Sequence, residues 1–257
     1  MRERGNKSKP LAADDTTDVC IIGGGIAGVS VAYFLARLGI PFILLEQREL
    51  GSGETERTTA HLASAIDDHF VELEKMHGEE GSRLAAQSHV SAIDAIEEIV
   101  KREGIDCDFA RVDGYLFAPP GQSTGFLEEE LAAATRAGLT VEKMKGAPLT
   151  GFETGLCLRF AAQGQFHPMR YLHGIASQAA KGGHIFTHTR VSSIEPGPPA
   201  RIQTESGHTI TAKHLVIATN APIHDHLPVY ARQSPYRSYV IGMKIPTGSV
   251  PRALYWD

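Results

Sequence analysis

The chain has 257 residues, 42% apolar and 21% charged, proportions that exclude a wholly disordered protein. A formal net charge of −5 provides no basic field for nucleic acid or an anionic membrane, and no apolar run reaches the ~18 residues of a transmembrane helix. Cys20, Cys107 and Cys157 are scattered, which excludes a disulfide framework and points to a reducing, cytoplasmic compartment.

Residues 1–16 carry Arg2, Arg4, Lys7 and Lys9 with no apolar core behind them, so they read as a flexible polar tail. Asp18–Ile22 is a short apolar run, predicted as a buried strand. Gly23-Gly24-Gly25 breaks it, and Ile26–Leu38 reads as a buried helix stopped by Gly39 with Pro41 beyond. Phe42–Leu45 is a second strand. Residues 68–103 read mostly as helix, with Ile93, Ile96 and Val100 on the apolar face and Gly81 as the place where it would divide. A strand over Arg111–Ala118 follows, then a short helix marked by Leu127, Leu131 and Ala134. Pro168 is placed to start a helix that Gly182 ends. From Ile185 the period is that of strands: 185–187, 190–194, 201–204, 209–212 and 215–218, separated by turns such as Glu195–Pro199. This order fits an α/β dinucleotide-binding core interrupted by a substrate-binding insertion.

Gly23-x-Gly25-x-x-Gly28 follows a strand and opens a helix. Gly23 permits the tight turn, Gly25 lets backbone approach a diphosphate, and Gly28 lets the helix pack close to the strand. Amides over 24–27, including those of Ile26 and Ala27, then favour phosphate. Glu46 closes the second strand, where a carboxylate accepts from both ribose hydroxyls and repels a 2′-phosphate; Gln47 follows it. The motif alone does not separate FAD from NAD.

Further segments do. Gly51-Ser52-Gly53-Glu54-Thr55-Glu56-Arg57-Thr58-Thr59-Ala60-His61-Leu62, Gly164-Gln165-Phe166-His167-Pro168 and Leu215–Asn220 resemble segments of the D-amino-acid-oxidase-like (DadA or glycine-oxidase type) FAD-dependent oxidoreductases. Residues 235–239 and 251–257 bring the chain nearest to the bacterial subgroup that carries a C-terminal Rieske domain. The resemblance implies a Rossmann-like, glutathione-reductase-type FAD-binding domain with a β-meander over 17–66 and 164–222. It implies a mixed α+β substrate domain over 67–163 and 223–257. It assigns Gly23, Gly25 and Gly28 to the FAD diphosphate and Glu46 to the ribose. Thr58, Thr59 and Ala60 fall along the ribityl chain and isoalloxazine, Val191 beside the adenine, and Ala218 and Thr219 at the last strand's end.

The implied chemistry is oxidation of a C–N bond in a small amine or amino acid, by hydride transfer to flavin N5. An electron-acceptor domain or protein is an implied partner. Members of this family need a C-terminal segment that covers the flavin, so the resemblance also predicts a truncated chain; a Rieske 2Fe-2S cluster would belong only to a full-length protein. Two other readings stand beside it: an FAD-binding fragment without activity of its own, and an NAD(P)H-dependent flavin hydroxylase.

Among candidate catalytic residues, His61 in the flavin segment is expected to lie near a non-covalent FAD, since covalent attachment occurs in only some relatives. His167 precedes the helix-starting Pro168. Arg237 with Tyr236 and Tyr239 could bind a substrate carboxylate or amine, or form a structural ion pair. His224-Asp225-His226 lacks a third ligand, and no metal site is expected. Asp67-Asp68 is expected to cap the helix that follows, and Glu128-Glu129-Glu130 to be a solvated face.

Overall fold

The computed structural model describes residues 9–221, 223 and 239–257. The chain divides into two compact units, one formed by the chain up to Thr58 with Pro168–Tyr239, the other by Thr59–His167 with Val240–Asp257.

In the first unit, β1 (Asp15–Ile22), β2 (Phe42–Leu45), β7 (His184–Phe186), β8 (Val191–Glu195), β9 (Ala200–Thr204) and β10 (Thr209–Ile217) form one sheet in the order β7-β2-β1-β10-β9-β8. β7, β2, β1 and β10 run parallel; β9 and β8 return antiparallel as a meander. Val19–Ile22 and all of β2 are buried residue after residue, because a parallel sheet is covered on both faces and needs no polar alternation. Cys20, Ile22, Ile43, Leu45, Ile202 and Ile210 make the core of one face. Helices α1 (Ile26–Leu38) and α4 (Pro168–Ala179) pack against each other in the same unit. α1 ends where Gly39 turns left-handed (φ 68°) and its amide and that of Ile40 close onto Ala36 and Leu35. The two strands expected over 209–212 and 215–218 are one strand. Lys213, at the polar break between them, faces outward and pairs with Asp18 at 2.6 Å.

In the second unit, β6 (Cys157–Gln165) is central. It pairs antiparallel with β4 (Ala110–Phe117) on one edge and with β3 (His61–Leu62) and β5 (Val141–Met144) on the other; β11 (Leu254–Trp256) runs parallel to β4. Helices α2 (His69–Glu103) and α3 (Gly125–Arg136) cover a core of Phe70, Leu116, Leu127, Leu158 and Phe160. Three expectations are corrected here. α2 divides at Gly78 (φ 71°, ψ 172°), not at Gly81. Asp68 makes no side-chain capping bond, because its backbone is already helical (φ −75°, ψ −1°) rather than extended. The cap comes instead from Glu130 of α3, which is not part of a solvated face: it is buried, and its two oxygens accept the amides of Phe70 and Val71 at 3.0 and 3.2 Å.

Candidate functional site

The C-terminal ends of β1, β2 and β10 and the N-terminus of α1 meet in the first unit around a cavity of about 850 Å³. Gly23 makes the turn out of β1 at φ 111°, with its amide on Leu45 O at 2.9 Å. A Cβ on Gly23 would stand 2.6 Å from Ala218 O, and one on Gly28 only 1.9 Å from Gly23 O, so both positions are closed to side chains. Gly25 differs: it lines the cavity, and the nearest neighbour of a Cβ there would be Thr55 Oγ1 at 3.4 Å, an ordinary contact. The first turn of α1 has no intrahelical partners for its amides. That of Ile26 is taken by Thr55 Oγ1 at 3.1 Å, whereas those of Gly25 and Ala27, beside the cavity, have no acceptor among the described residues.

Glu46 is fixed by its own neighbours. Its Oε2 accepts the Gly24 amide at 2.6 Å and its Oε1 the Arg48 amide at 2.8 Å. A carboxylate has about four acceptor sites, so two remain for further donors such as the hydroxyls of a cis-diol. Its backbone is tied on both sides, N–H to Phe186 O and C=O to the Thr189 amide, each at 2.8 Å. The cavity thus presents free amide donors at a helix N-terminus and a spare acceptor pair at the adjacent strand end. That donor and acceptor set suits a nucleoside diphosphate.

Of the residues singled out by sequence, Gly23, Gly25, Ile26, Ala27, Glu46, Gln47, Val191, Ala218 and Thr219 line this cavity, with Gly28 packed behind them. Thr58 is the last residue of its stretch of the first unit, and Thr59 and Ala60 open the second. The lining in this stretch of chain ends at Arg57. Ala60 adopts a left-handed backbone (φ 63°). His61 lies in β3 opposite Gln165, and His167 is exposed with its amide on Cys107 O at 2.6 Å. Tyr239 is 90% exposed and lines no part of the cavity. Tyr236, Arg237 and His224–His226 lie outside the described residues. Among the described residues no cluster of metal-ligating side chains occurs, and no helix is long and apolar enough to cross a membrane.

Of the amides over 24–27 that the sequence offers to phosphate, those of Gly24 and Ile26 are instead taken within the protein, by Glu46 Oε2 and Thr55 Oγ1. Thr55 caps α1 from 29 positions away, and a Cβ on Gly24 would meet Leu50 Cδ2 at 2.6 Å and Glu46 Cβ at 2.9 Å. Neither constraint has a local spacing signal.

The family model described as "DAO: FAD dependent oxidoreductase" matches residues 18–256. The Bacillus subtilis (strain 168) protein YhfW, whose name describes a Rieske 2Fe-2S iron-sulfur protein, is 32% identical over 251 residues, covering 96% of this chain and 49% of its own length. The gamma-glutamylputrescine oxidoreductase of Escherichia coli (strain K12) is 29% identical over 227 residues, 85% of this chain and 53% of that one. The crystal structure of glycine oxidase from Geobacillus kaustophilus shares the fold, with a TM-score of 0.67 at 22% identity over 79% of this chain and 55% of that one. The chain spans about half the length of the curated relatives it matches.

Proposed function

The chain belongs to the family of FAD-dependent oxidoreductases, and from that membership we propose that its cavity takes the adenosine diphosphate part of a non-covalently held FAD and that the protein oxidises the C–N bond of an amine or amino acid. The observation that carries the reading is the fixed Glu46 carboxylate with acceptor sites to spare, lining one cavity with the amides of Gly25 and Ala27, which have no acceptor among the described residues. The amides would hold the diphosphate, Glu46 the ribose diol, and the backbone at Val191 the adenine edge. Thr58, Thr59 and Ala60 follow Arg57 directly in the chain and are assigned the ribityl and flavin side. His61 is assigned a place near the flavin without a bond to it.

When bound, FAD supplies the two-electron acceptor at N5 for the hydride that leaves the carbon beside the amine. The substrate nitrogen loses a proton in the same oxidation, and the imine product hydrolyses in water. The chain's own part is to bind and orient. Glu46 and the α1 amides fix the cofactor's position, and the closed positions at Gly23 and Gly28 keep those amides in place. Amine and amino-acid substrates are favoured by the names of the relatives, an amine oxidoreductase and a glycine oxidase.

The test is an absorbance spectrum of the purified protein before and after FAD is added. Bands near ~370 and ~450 nm, the signature of a bound oxidised flavin, are expected for the unaltered chain and lost in Gly28→Val, whose side chain has no room behind α1. Bleaching by amines or amino acids supports the substrate class, and bleaching by NADPH would replace it with the hydroxylase reading. A flavin that stays bleached in air assigns reoxidation to a partner electron carrier. No uptake of FAD by the unaltered protein overturns the proposal, and flavin that remains with acid-precipitated protein overturns its non-covalent part.

A further inference from the structure

The 3-10 turn Glu54–Arg57 carries a threonine into the wall of the cavity. Thr55 is 8% exposed in the first unit, although polar side chains in turns are ordinarily solvated. The turn is held in place from several directions. The Gly51 amide donates to Gly24 O at 2.9 Å, and the Glu56 amide to Gly51 O at 3.0 Å. Gly51 is left-handed (φ 73°) and lies so close to α4 that a Cβ there would stand 2.5 Å from Leu172 Cδ2 and 2.7 Å from Met169 Cε. α4 also packs on the turn itself. Thr55 is therefore fixed by its surroundings rather than by its own hydrogen bonds.

A hydroxyl has one proton to donate and two lone pairs that accept. Thr55 Oγ1 accepts the Ile26 amide at 3.1 Å, and its own proton has no acceptor among the described residues. A buried donor left unspent is unfavourable, and a valine would fill the same volume without one. Oγ1 would stand 3.4 Å from a Cβ on Gly25, so the unspent proton lies beside an amide that also has no acceptor among the described residues. Glu46 withdraws the Gly24 amide from the cavity and Thr55 withdraws that of Ile26, which leaves the alternate amides of Gly25 and Ala27. Thr55 thus removes one donor and brings another. The bond that its oxygen accepts polarises the hydroxyl and makes it the stronger donor.

We propose that Thr55 is a third donor to the bound anion: its hydroxyl gives its proton to a phosphate oxygen of the nucleoside diphosphate, alongside the Gly25 and Ala27 amides. The inference rests on the flavin reading above for the identity of the ligand. It adds one side chain to a phosphate site otherwise made of backbone.

The experiment titrates FAD, ADP and adenosine into the purified unaltered protein, Thr55→Val and Thr55→Ser, with melting of the ligand-free forms alongside. Thr55→Val keeps the shape and loses the donor. It is expected to weaken FAD and ADP by about ten- to a hundred-fold, the worth of one hydrogen bond to a charged oxygen, and to leave adenosine, which has no phosphate, unchanged. Thr55→Ser keeps the hydroxyl and should bind all three as the unaltered protein does; a loss as large as that of Thr55→Val overturns the proposal. In a crystal structure of the ADP complex, Thr55 Oγ1 should lie about 2.5–3.0 Å from a phosphate oxygen. A residue that only caps α1 would lower the melting temperature of ligand-free Thr55→Val and would stand more than about 3.5 Å from every phosphate oxygen; that separation overturns the proposal, as does an equal loss of ADP and adenosine binding. The ADP complex of the unaltered protein decides the matter if Thr55→Val does not fold. No binding of FAD or ADP by the unaltered protein overturns the flavin reading, and this inference with it; binding that Thr55→Val leaves at full strength overturns this inference alone.

Discussion

Cys20 stands fully buried in β1, with β2 on one side and β10 on the other. A thiolate there would have no water, so burial pushes its pKa from 9.0 up to about 12. The unfolded chain gives up that proton near the ordinary value. Between 9.0 and about 12 the folded state therefore binds more protons than the unfolded state, and stability falls as pH rises through this window. The loss of melting temperature between about pH 8.5 and pH 10.5 should be shallower in Cys20→Val than in the unaltered protein, and equal slopes would contradict it. At this scale the sequence was readable where a constraint repeats at fixed spacing. The three motif glycines and the acid 18 positions after Gly28 are such a case. It was unreadable where the constraint comes from across the fold. Gly24 is closed by Leu50 and Glu46, and the capping hydroxyl of α1 is supplied by Thr55.

At the scale of elements, the start of α2 illustrates how a cap can be supplied from another helix. Glu130 accepts two amides there, and neither has another acceptor among the described residues. Glu130→Ala should cost on the order of 2–4 kcal/mol, since two amides lose charge-assisted bonds in a mostly buried setting. Asp68→Ala should cost less than about 0.5 kcal/mol, as expected of a position with no capping bond. Urea unfolding of the two variants checks the contrast, and equal losses would restore the local cap. The sign of Glu130 was present in its helical phase: it follows Leu127 by three positions and precedes Ala134 by four, so it shares their buried face. A run of three acids concealed it, because Glu128 on the same helix does reach outward, to Lys143. β3 and β11, of two and three residues, are too short to show any period, and β6 carries a bulge that breaks its alternation. Gly78 and Gly81 are equal as helix breakers in sequence. Only the packing separates them, since Gly78 has open space at φ 71° and Gly81 stays helical against His77.

At the scale of the molecule, the first unit is assembled from two distant stretches of chain. Each residue of β1 that pairs with β10 does so across the whole intervening sequence, as does the Asp14–Thr209 bond, which spans 195 residues. The order of elements made this legible, since a strand–helix–strand opening and a closing meander both need a sheet. The pairing of first with last strand needs the fold itself. A chain ended after Glu195 would keep β2 beside β1 but lose β9 and β10, together with Ala218 and Thr219 at the cavity. It should take up no FAD in the titration described above, and uptake would show that the strand–helix–strand opening suffices.

The same pairing has a consequence for how the protein is made. Translation delivers β1 early and β2 soon after it, but the start of β10 follows the start of β1 by some 195 residues. At about 5–20 residues per second the ribosome needs on the order of 10–40 s to produce it. Through that interval one edge of β1 has its amides, its carbonyls and the apolar surface around Cys20 and Ile22 without their final neighbour. The nascent chain carries its central strand half-paired while the whole of the second unit's sheet up to β6 is being synthesised. Slowing of the ribosome over residues 59–208 should therefore lower the yield of correctly folded protein more than slowing after residue 217, when every strand of the first sheet has left the peptidyl-transferase centre.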